Sequence, residues 1–161
     1  MKSYTSYLET SVGLVEINAS DIAILSVDFL DDAERKISEE NDISISAKAD
    51  LEAYFSGTKK VFDLPLNLSG TDFQQRVWLQ LLAIPYGSTI TYLELAKKLG
   101  DPKCIRAAAS ANGKNPFAII VPCHRVVGSN NDLVGYAGGL WRKRWLLEHE
   151  NKTANGLQLL F

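Results

Sequence analysis

The chain of 161 residues has only two cysteines, Cys104 and Cys123, and only two histidines, His124 and His149. So few thiols exclude a disulfide framework and predict a reducing, intracellular compartment. The four residues match no paired Cys-x-x-Cys or His-x-x-x-His spacing, so no metal is expected. No stretch approaches the ~18 consecutive apolar residues of a membrane span, and residues 1–6 lack the apolar core of a secretion signal. The protein is therefore expected in the cytoplasm, or in the nucleus of a eukaryote, with no membrane partner. What remains, 46% hydrophobic and 22% charged, is an ordinary soluble composition, long enough for one generous domain or two small ones.

Net charge is also small, −2, but unevenly spread. Residues 1–69 carry six Lys/Arg against thirteen Asp/Glu, hence −7; residues 70–161 carry eleven against six, hence +5. A polyanion would be drawn to the second part alone. Chance segregation of surface charge would give the same counts.

Apolar and polar residues alternate over 13–17 and 22–29 around Asn18-Ala19-Ser20-Asp21, which predicts a hairpin. Residues 31–46 are acidic and weakly periodic, as in an exposed connection. Ala47, Leu51, Tyr54 and Phe55 then recur at helical spacing over 47–56, with Gly57 in the stop position. This first part reads as a small α/β unit, residues 1–66, that supports the rest.

From residue 67 onward the helix signals sharpen. Thr71-x-x-Gln74 is a capping box ahead of Phe73, Val77, Trp78, Leu81 and Leu82. Thr91-x-x-Glu94 is a second box, with Leu95, Ala96 and Leu99 on the core face. Asp101-Pro102 opens a further helix that stops near Gly113. Two short helices joined at Gly100-Asp101 form a helix-turn-helix pattern. The second, with Ala107-Ala108-Ala109-Ser110-Ala111, lacks the long polar side chains that read base edges in the major groove. With its single Arg106 it suits close, sequence-independent approach to DNA, or it is an alanine-rich packing helix. Residues 125–136 suggest a β-turn or short hairpin, and a last helix runs from Leu140 to about Glu150, packing through Leu140, Leu147 and Trp141/Trp145.

The chemistry gathers at Val121-Pro122-Cys123-His124-Arg125. The apolar run 117–121 predicts a short buried strand, and Pro122 interrupts it where the sulfur sits. A thiol near pKa ~8.5 is mostly protonated at neutral pH, and the thiolate is the nucleophile. An adjacent imidazole, oriented by a carboxylate such as Glu150, would favour the anion. His124 alone could equally cap the strand end or make a core hydrogen bond. A cysteine hydrolase fits the chemistry but leaves the helix-turn-helix and basic second part unexplained.

Together these residues spell a family. Gly113-Lys114-Asn115-Pro116, Pro122-Cys123-His124-Arg125-Val126-Val127 and Gly135-Tyr136-Ala137-Gly138-Gly139-Leu140 resemble the O6-alkylguanine-DNA alkyltransferases. So do Phe73-Gln74-Gln75-Arg76-Val77-Trp78, the segment 86–92 and Trp145-Leu146-Leu147-Glu148-His149-Glu150, in the same order. The resemblance covers residues 71–150 nearly continuously; before residue 65 it rests mainly on residues 51–57. It implies an α+β fold, with an N-terminal ribonuclease H-like α/β domain. A winged-helix-like helix-turn-helix domain, residues 67–161, would carry the acceptor cysteine. The implied activity is a single, irreversible transfer of an alkyl group from O6-alkylguanine, or O4-alkylthymine, to the protein. It needs no cofactor, and the partner is double-stranded DNA, met by a monomer.

By the same resemblance Cys123 is the acceptor, His124 its base through a water, and Glu150 the group orienting His124. Asn115 braces the turns of the site. Tyr92 crowds the phosphate during base flipping and donates a proton toward guanine N3. The Cys123 and Val126 carbonyls accept from the guanine amino group, and Tyr136 walls the base pocket. Arg106 fills the space of the flipped nucleotide, on a helix whose Ala107 and Ser110 admit the groove floor. Ala137 stands where some members have serine, so a side-chain bond to O6 would be replaced by a backbone N–H. Residues 1–60 hold no Cys or His, so the structural zinc of some members is not expected. A damage-binding module without chemistry and a redox-sensing DNA-binding regulator are the rival readings.

Overall fold

The computed structural model describes residues 2–31 and 35–156. The chain divides into two compact units, Met1–Leu68 with Pro116–Ala118, and Ser69–Asn115 with Ile119–Phe161.

The first unit is a three-stranded antiparallel sheet, β1 (Tyr4–Thr10), β2 (Gly13–Ala19) and β3 (Ile24–Leu30), in the order β1-β2-β3. The hairpin expected from residues 13–29 is β2–β3, with its register shifted between Asn18 and Ala19. β1 escapes the sequence because Tyr4-Thr5-Ser6-Tyr7 carries polar residues on both faces. It is held by pairing from Tyr4↔Ala19 to Thr10↔Gly13, where Gly13 turns with φ 103°. Val15, Ile17 and Ala19 alternate inward, as the two-residue period of a strand requires. Against β1 and β2 lies α1 (Asp42–Phe55), burying Ala47, Leu51 and Tyr54.

Two expectations change here. The helix begins at residue 42, not 47: Asn41 accepts from the Ser44 amide at 2.9 Å while Ser44 Oγ accepts from the Asn41 amide at 3.0 Å. That is a capping box with serine in the place usually taken by Glu or Gln. The predicted connection therefore shortens to residues 31–41, of which 32–34 lie outside the described residues.

In the second unit, α2 (Asp72–Leu82), α3 (Tyr92–Lys98) and α4 (Ile105–Gly113) pack together. Both predicted capping boxes form. Trp78 Nε1 donates to the Ala111 carbonyl at 2.9 Å, tying α2 to α4. Asp101 caps as expected, but residues 102–104 form one 3₁₀ turn before α4 starts. The short parallel strands β4 (Ile90–Thr91) and β5 (Val126–Val127) pair Ile90↔Val126 and Thr91↔Val127. That pairing brings the start of α3 beside the segment following Cys123.

The run 117–121 is buried but is not a strand. Phe117 makes a single bridge to Val27, and the chain then turns through Ile119 at φ 71°. A β-branched residue there is strained by about 1–3 kcal/mol. Of the β-turn or short hairpin expected over 125–136, the turn forms, closed by the Gly128 amide on the Asp132 carbonyl at 2.8 Å, but no hairpin does, because Val126–Val127 pair with β4. In the turn, Asn130 and Asn131 are both left-handed.

α5 (Leu140–Asn155) runs one turn past the expected end and buries Leu146, Leu147, Arg142, Lys143, Glu150 and Asn151. Leu140 and Trp141, read as packing residues, are about half exposed. Glu150 consequently lies inside the helix and not at its end. Residues 157–161 of the tail lie outside the described residues. No helix among the described residues is long and apolar enough to cross a membrane.

Candidate active site

Pro122, at φ −81° and ψ 62°, centres an inverse γ-turn in which the Cys123 amide donates to the Val121 carbonyl at 2.8 Å. Proline has this φ built in. A 3₁₀ turn over Cys123–Arg125 follows, closed by the Arg125 amide on the Pro122 carbonyl at 3.0 Å. Two asparagines fasten these turns. Asn115 Nδ2 donates to the Val121 carbonyl at 2.7 Å, and Asn112 Nδ2 to the Cys123 carbonyl at 3.4 Å. The Cys123 carbonyl also accepts from the Val126 amide, so both of its lone pairs are engaged.

Cys123 is 7% exposed. Burial pushes its thiol up, while Asn115 and the nearby Lys143 ammonium pull it down. His124 is wholly buried, with Nε2 2.6 Å from Glu150 Oε2. Burial, the largest influence, pushes the imidazole below its ordinary value against the pull of Glu150. For Glu150 burial opposes the charge, but His124 and Arg125 outweigh it and hold the carboxyl well below the usual carboxylate range. The pair is therefore a carboxylate and a neutral imidazole. A carboxylate only accepts, so Nε2 carries the proton and Nδ1 carries the lone pair. Nδ1 has no hydrogen-bond partner among the described residues, which leaves a basic site one residue from the thiol.

Tyr92, at the first position of α3, donates to the Val134 carbonyl at 3.0 Å. Burial and the neighbouring Cys123 raise its phenol, so the proton stays on at neutral pH. Burial likewise holds the Tyr136 phenol well above its ordinary value. Val126 is fully buried and Ala137 is exposed. Away from this cluster, Arg106, Ala107 and Ser110 are all exposed on one face of α4, while Ala108 and Ala111 face inward. The small residues thus serve packing on one side and leave a smooth surface on the other.

Three residues join the cluster that sequence reasoning missed. Arg125 is buried and grips Glu150, Nε on Oε1 at 2.7 Å and Nη2 on Oε2 at 3.2 Å, with Nη1 on the Ile84 carbonyl at 2.7 Å. Lys143 is fully buried and donates to the carbonyls of Val134 and Gly135 at 3.0 and 3.2 Å. Burial brings its ammonium down to about 8. Asn112 is the third. A basic residue beside a catalytic pair was the available signal for Arg125; Lys143 gave none, standing among the charges of Trp141-Arg142-Lys143-Arg144. Cys104 lies apart, its Sγ 3.9 Å from the Ala96 carbonyl. His149 stacks on Trp145 with centroids 4.8 Å apart. Among the described residues no group of three His, Cys, Asp or Glu is placed to hold a metal.

A family model described as the 6-O-methylguanine DNA methyltransferase DNA-binding domain matches residues 72–152, and one for the ribonuclease-like domain of the same proteins matches residues 3–68. The chain belongs to the 6-O-methylguanine DNA methyltransferase family. Its architecture is that family's: a ribonuclease-like first domain and a DNA-binding second domain. A probable methylated-DNA--protein-cysteine methyltransferase of Acanthamoeba polyphaga mimivirus is 49% identical over 149 residues, 91% of this chain and 95% of the relative. The methylated-DNA--protein-cysteine methyltransferase of Mycobacterium bovis is 56% identical over 111 residues, 69% of this chain and 67% of its own. Among solved structures, Mycobacterium tuberculosis OGT in complex with DNA superposes with a TM-score of 0.84 at 41% identity, covering 93% of this chain and 94% of that one.

Proposed function

We propose that this methyltransferase repairs DNA by moving the alkyl group of O6-alkylguanine, and of O4-alkylthymine, irreversibly onto Cys123. The observation that carries the reading is the His124 imidazole, oriented by Glu150 through Nε2 and offering a lone pair at Nδ1 beside the cysteine. His124 takes the thiol proton through a water at Nδ1. The sulfur then attacks the alkyl carbon as the carbon–O6 bond breaks. Guanine leaves with a proton gained at N3 from Tyr92, and the proton His124 took from the thiol returns through solvent to the Tyr92 phenolate, so the loss at the thiol is matched by the gain at the base. To give that proton, the Tyr92 hydroxyl must leave the Val134 carbonyl.

The base must leave the duplex before the sulfur can reach it. Arg106 fills the vacated stack, with Ala107 and Ser110 against the minor groove. Val126, Tyr136 and Ala137 form the base pocket, and the guanine amino group displaces the long Asn112 bond at the Cys123 carbonyl. The partner is double-stranded DNA carrying the lesion, met by one protein molecule in the cytoplasm or nucleus.

Mass spectrometry tests the reading after mixing with a duplex that holds one O6-methylguanine. One methyl on the Cys123 peptide, guanine restored in the DNA, and no transfer by Cys123→Ala are the expected results. Lesion binding without any mass change would make the protein a damage-recognition module instead.

A further inference from the structure

We propose that Arg125 is a positioning residue for the transfer: by engaging both oxygens of Glu150 it leaves His124 a neutral base able to accept the thiol proton. This rests on the reading of Cys123 as acceptor and His124 as its base, and assigns how that base is kept competent.

The argument is one of charge balance in a buried place. Glu150 is 1% exposed, and its carboxylate touches two side chains that could balance it, His124 and Arg125. An unpaired buried carboxylate is strongly unfavourable. If Arg125 did not supply the balancing charge, the nearest remaining source would be a proton on His124. The imidazolium so formed would hold its proton against Glu150 and offer no lone pair to the thiol.

The guanidinium is fixed for this task. Its Nε and Nη2 meet the carboxylate side-on, a geometry that lysine cannot reproduce. Its Nη1 is anchored on the Ile84 carbonyl, and its Cζ lies 5.6 Å from the Tyr86 ring centroid. The sharing is also directional. Oε1 serves Arg125 and, at 3.5 Å, the Gly87 amide, while Oε2 receives the short bond from His124 and the longer one from Nη2. The carboxylate therefore fixes the imidazole tautomer without needing it charged. Besides Glu150 and Arg125, the charge acting on His124 is that of Lys143 on α5, in the same direction as Arg125, with Cys123 preceding it on its own turn.

The test follows the two histidines by nitrogen-detected NMR from about pH 5 to 9, alongside transfer rates from an O6-methylguanine duplex over the same range. His149 serves as the internal reference. In the wild type, His124 should be a neutral Nε2–H tautomer at pH 7. In Arg125→Gln it should be protonated at neutral pH, and the acid limb of the rate profile should move up by about one pH unit or more. Transfer at pH 7 should fall about tenfold and recover as pH rises. In Arg125→Gln/Glu150→Gln, where the buried negative charge is gone as well, His124 should be neutral again.

A wild-type His124 already protonated at pH 7 would overturn the proposal without any variant. So would an Arg125→Gln protein that loses rate equally at every pH with His124 still neutral, since that is a packing effect. Absence of transfer by the wild type would instead overturn the reading of Cys123 as acceptor, whatever the histidine does.

Discussion

Replacing Lys143 by methionine removes a buried charge while keeping a side chain of similar length. In the folded protein the ammonium is brought from 10.5 down to about 8, chiefly by burial. A difference of that size corresponds to about 3 kcal/mol, of which a comparison that stops at pH 10, below the unfolded value, should show about 2 kcal/mol. The sign follows from proton binding. Between about pH 8 and 10.5 the unfolded lysine holds a proton that the folded one has given up, so wild-type stability gains with rising pH in that window. The gain is complete above the unfolded value and lost as pH falls through about 8.

Lys143→Met lacks this contribution. Its other consequences at the loop are small, because the Val134 carbonyl keeps the Tyr92 bond and Gly135 lies at the surface. Urea unfolding of both proteins from pH 7 to 10 should therefore show the wild type gaining on the variant by about 2 kcal/mol. Taking the difference between the two cancels the tyrosines, and making both measurements in a Cys123→Ala background removes the Cys123 titration, which shifts when Lys143 is lost. The variant should also transfer more slowly at pH 7, having lost a positive charge that favours the Cys123 thiolate, and recover at higher pH. A stability difference constant to within about 0.5 kcal/mol across the range would refute the premise that this ammonium is desolvated.

Arg106→Ala should leave folding unchanged to within about 0.5 kcal/mol, since the residue is exposed. It should slow transfer from a duplex far more than from the free modified base; equal losses in parallel rate measurements would exclude a role in holding the flipped state. Gly87→Ala should destabilise by about 2–4 kcal/mol in urea unfolding. Gly87 has φ 80°, and a Cβ there would sit 2.6 Å from the Ala154 Cβ. An unchanged unfolding midpoint would contradict this packing of the turn against α5.

What could be read from sequence was whatever is encoded locally. The capping boxes at Thr71 and Thr91 place α2 and α3 because both partners lie within four residues, and their hydroxyl and carboxyl or amide groups meet backbone donors as soon as a turn forms. The same logic misplaced the start of α1, where Ser44 fills the role of Glu or Gln. Failures occur where tertiary partners decide. Residues 117–121 have strand composition, yet they make a single strand bridge, Phe117 to Val27, and the chain turns at Ile119. Val126–Val127 pair with Ile90–Thr91, some 36 residues earlier, instead of the nearby 133–136. Arg142 and Lys143 are buried although neighbours in a charged run. Nothing in the sequence separates them from Arg144, because a lysine's burial depends on carbonyls brought to it from the loop ahead of α5.

Two of the site residues that sequence did not reveal, Arg125 and Lys143, share one property: each holds a charge in a buried place. Cys123 can be found from its setting, but its burial raises the thiol, which makes it a poor nucleophile at rest. That is an advantage for a group that can be used once. An exposed thiolate would be consumed by oxidants and stray electrophiles, whereas a buried thiol reacts only when a base is at hand and an alkyl carbon is held against it. Such a site needs a neutral imidazole that stays neutral beside a carboxylate, and the carboxylate in turn needs a cation of its own. Arg125 meets that need at Glu150, and Lys143 supplies positive potential near the sulfur. The proposed reactive pair His124 and Cys123 is thus adjacent in sequence, while the charges proposed to make it selective are brought together by α5 packing against the turn. A chain carrying the same five residues 121–125 on another scaffold would keep the nucleophile and lose its restraint.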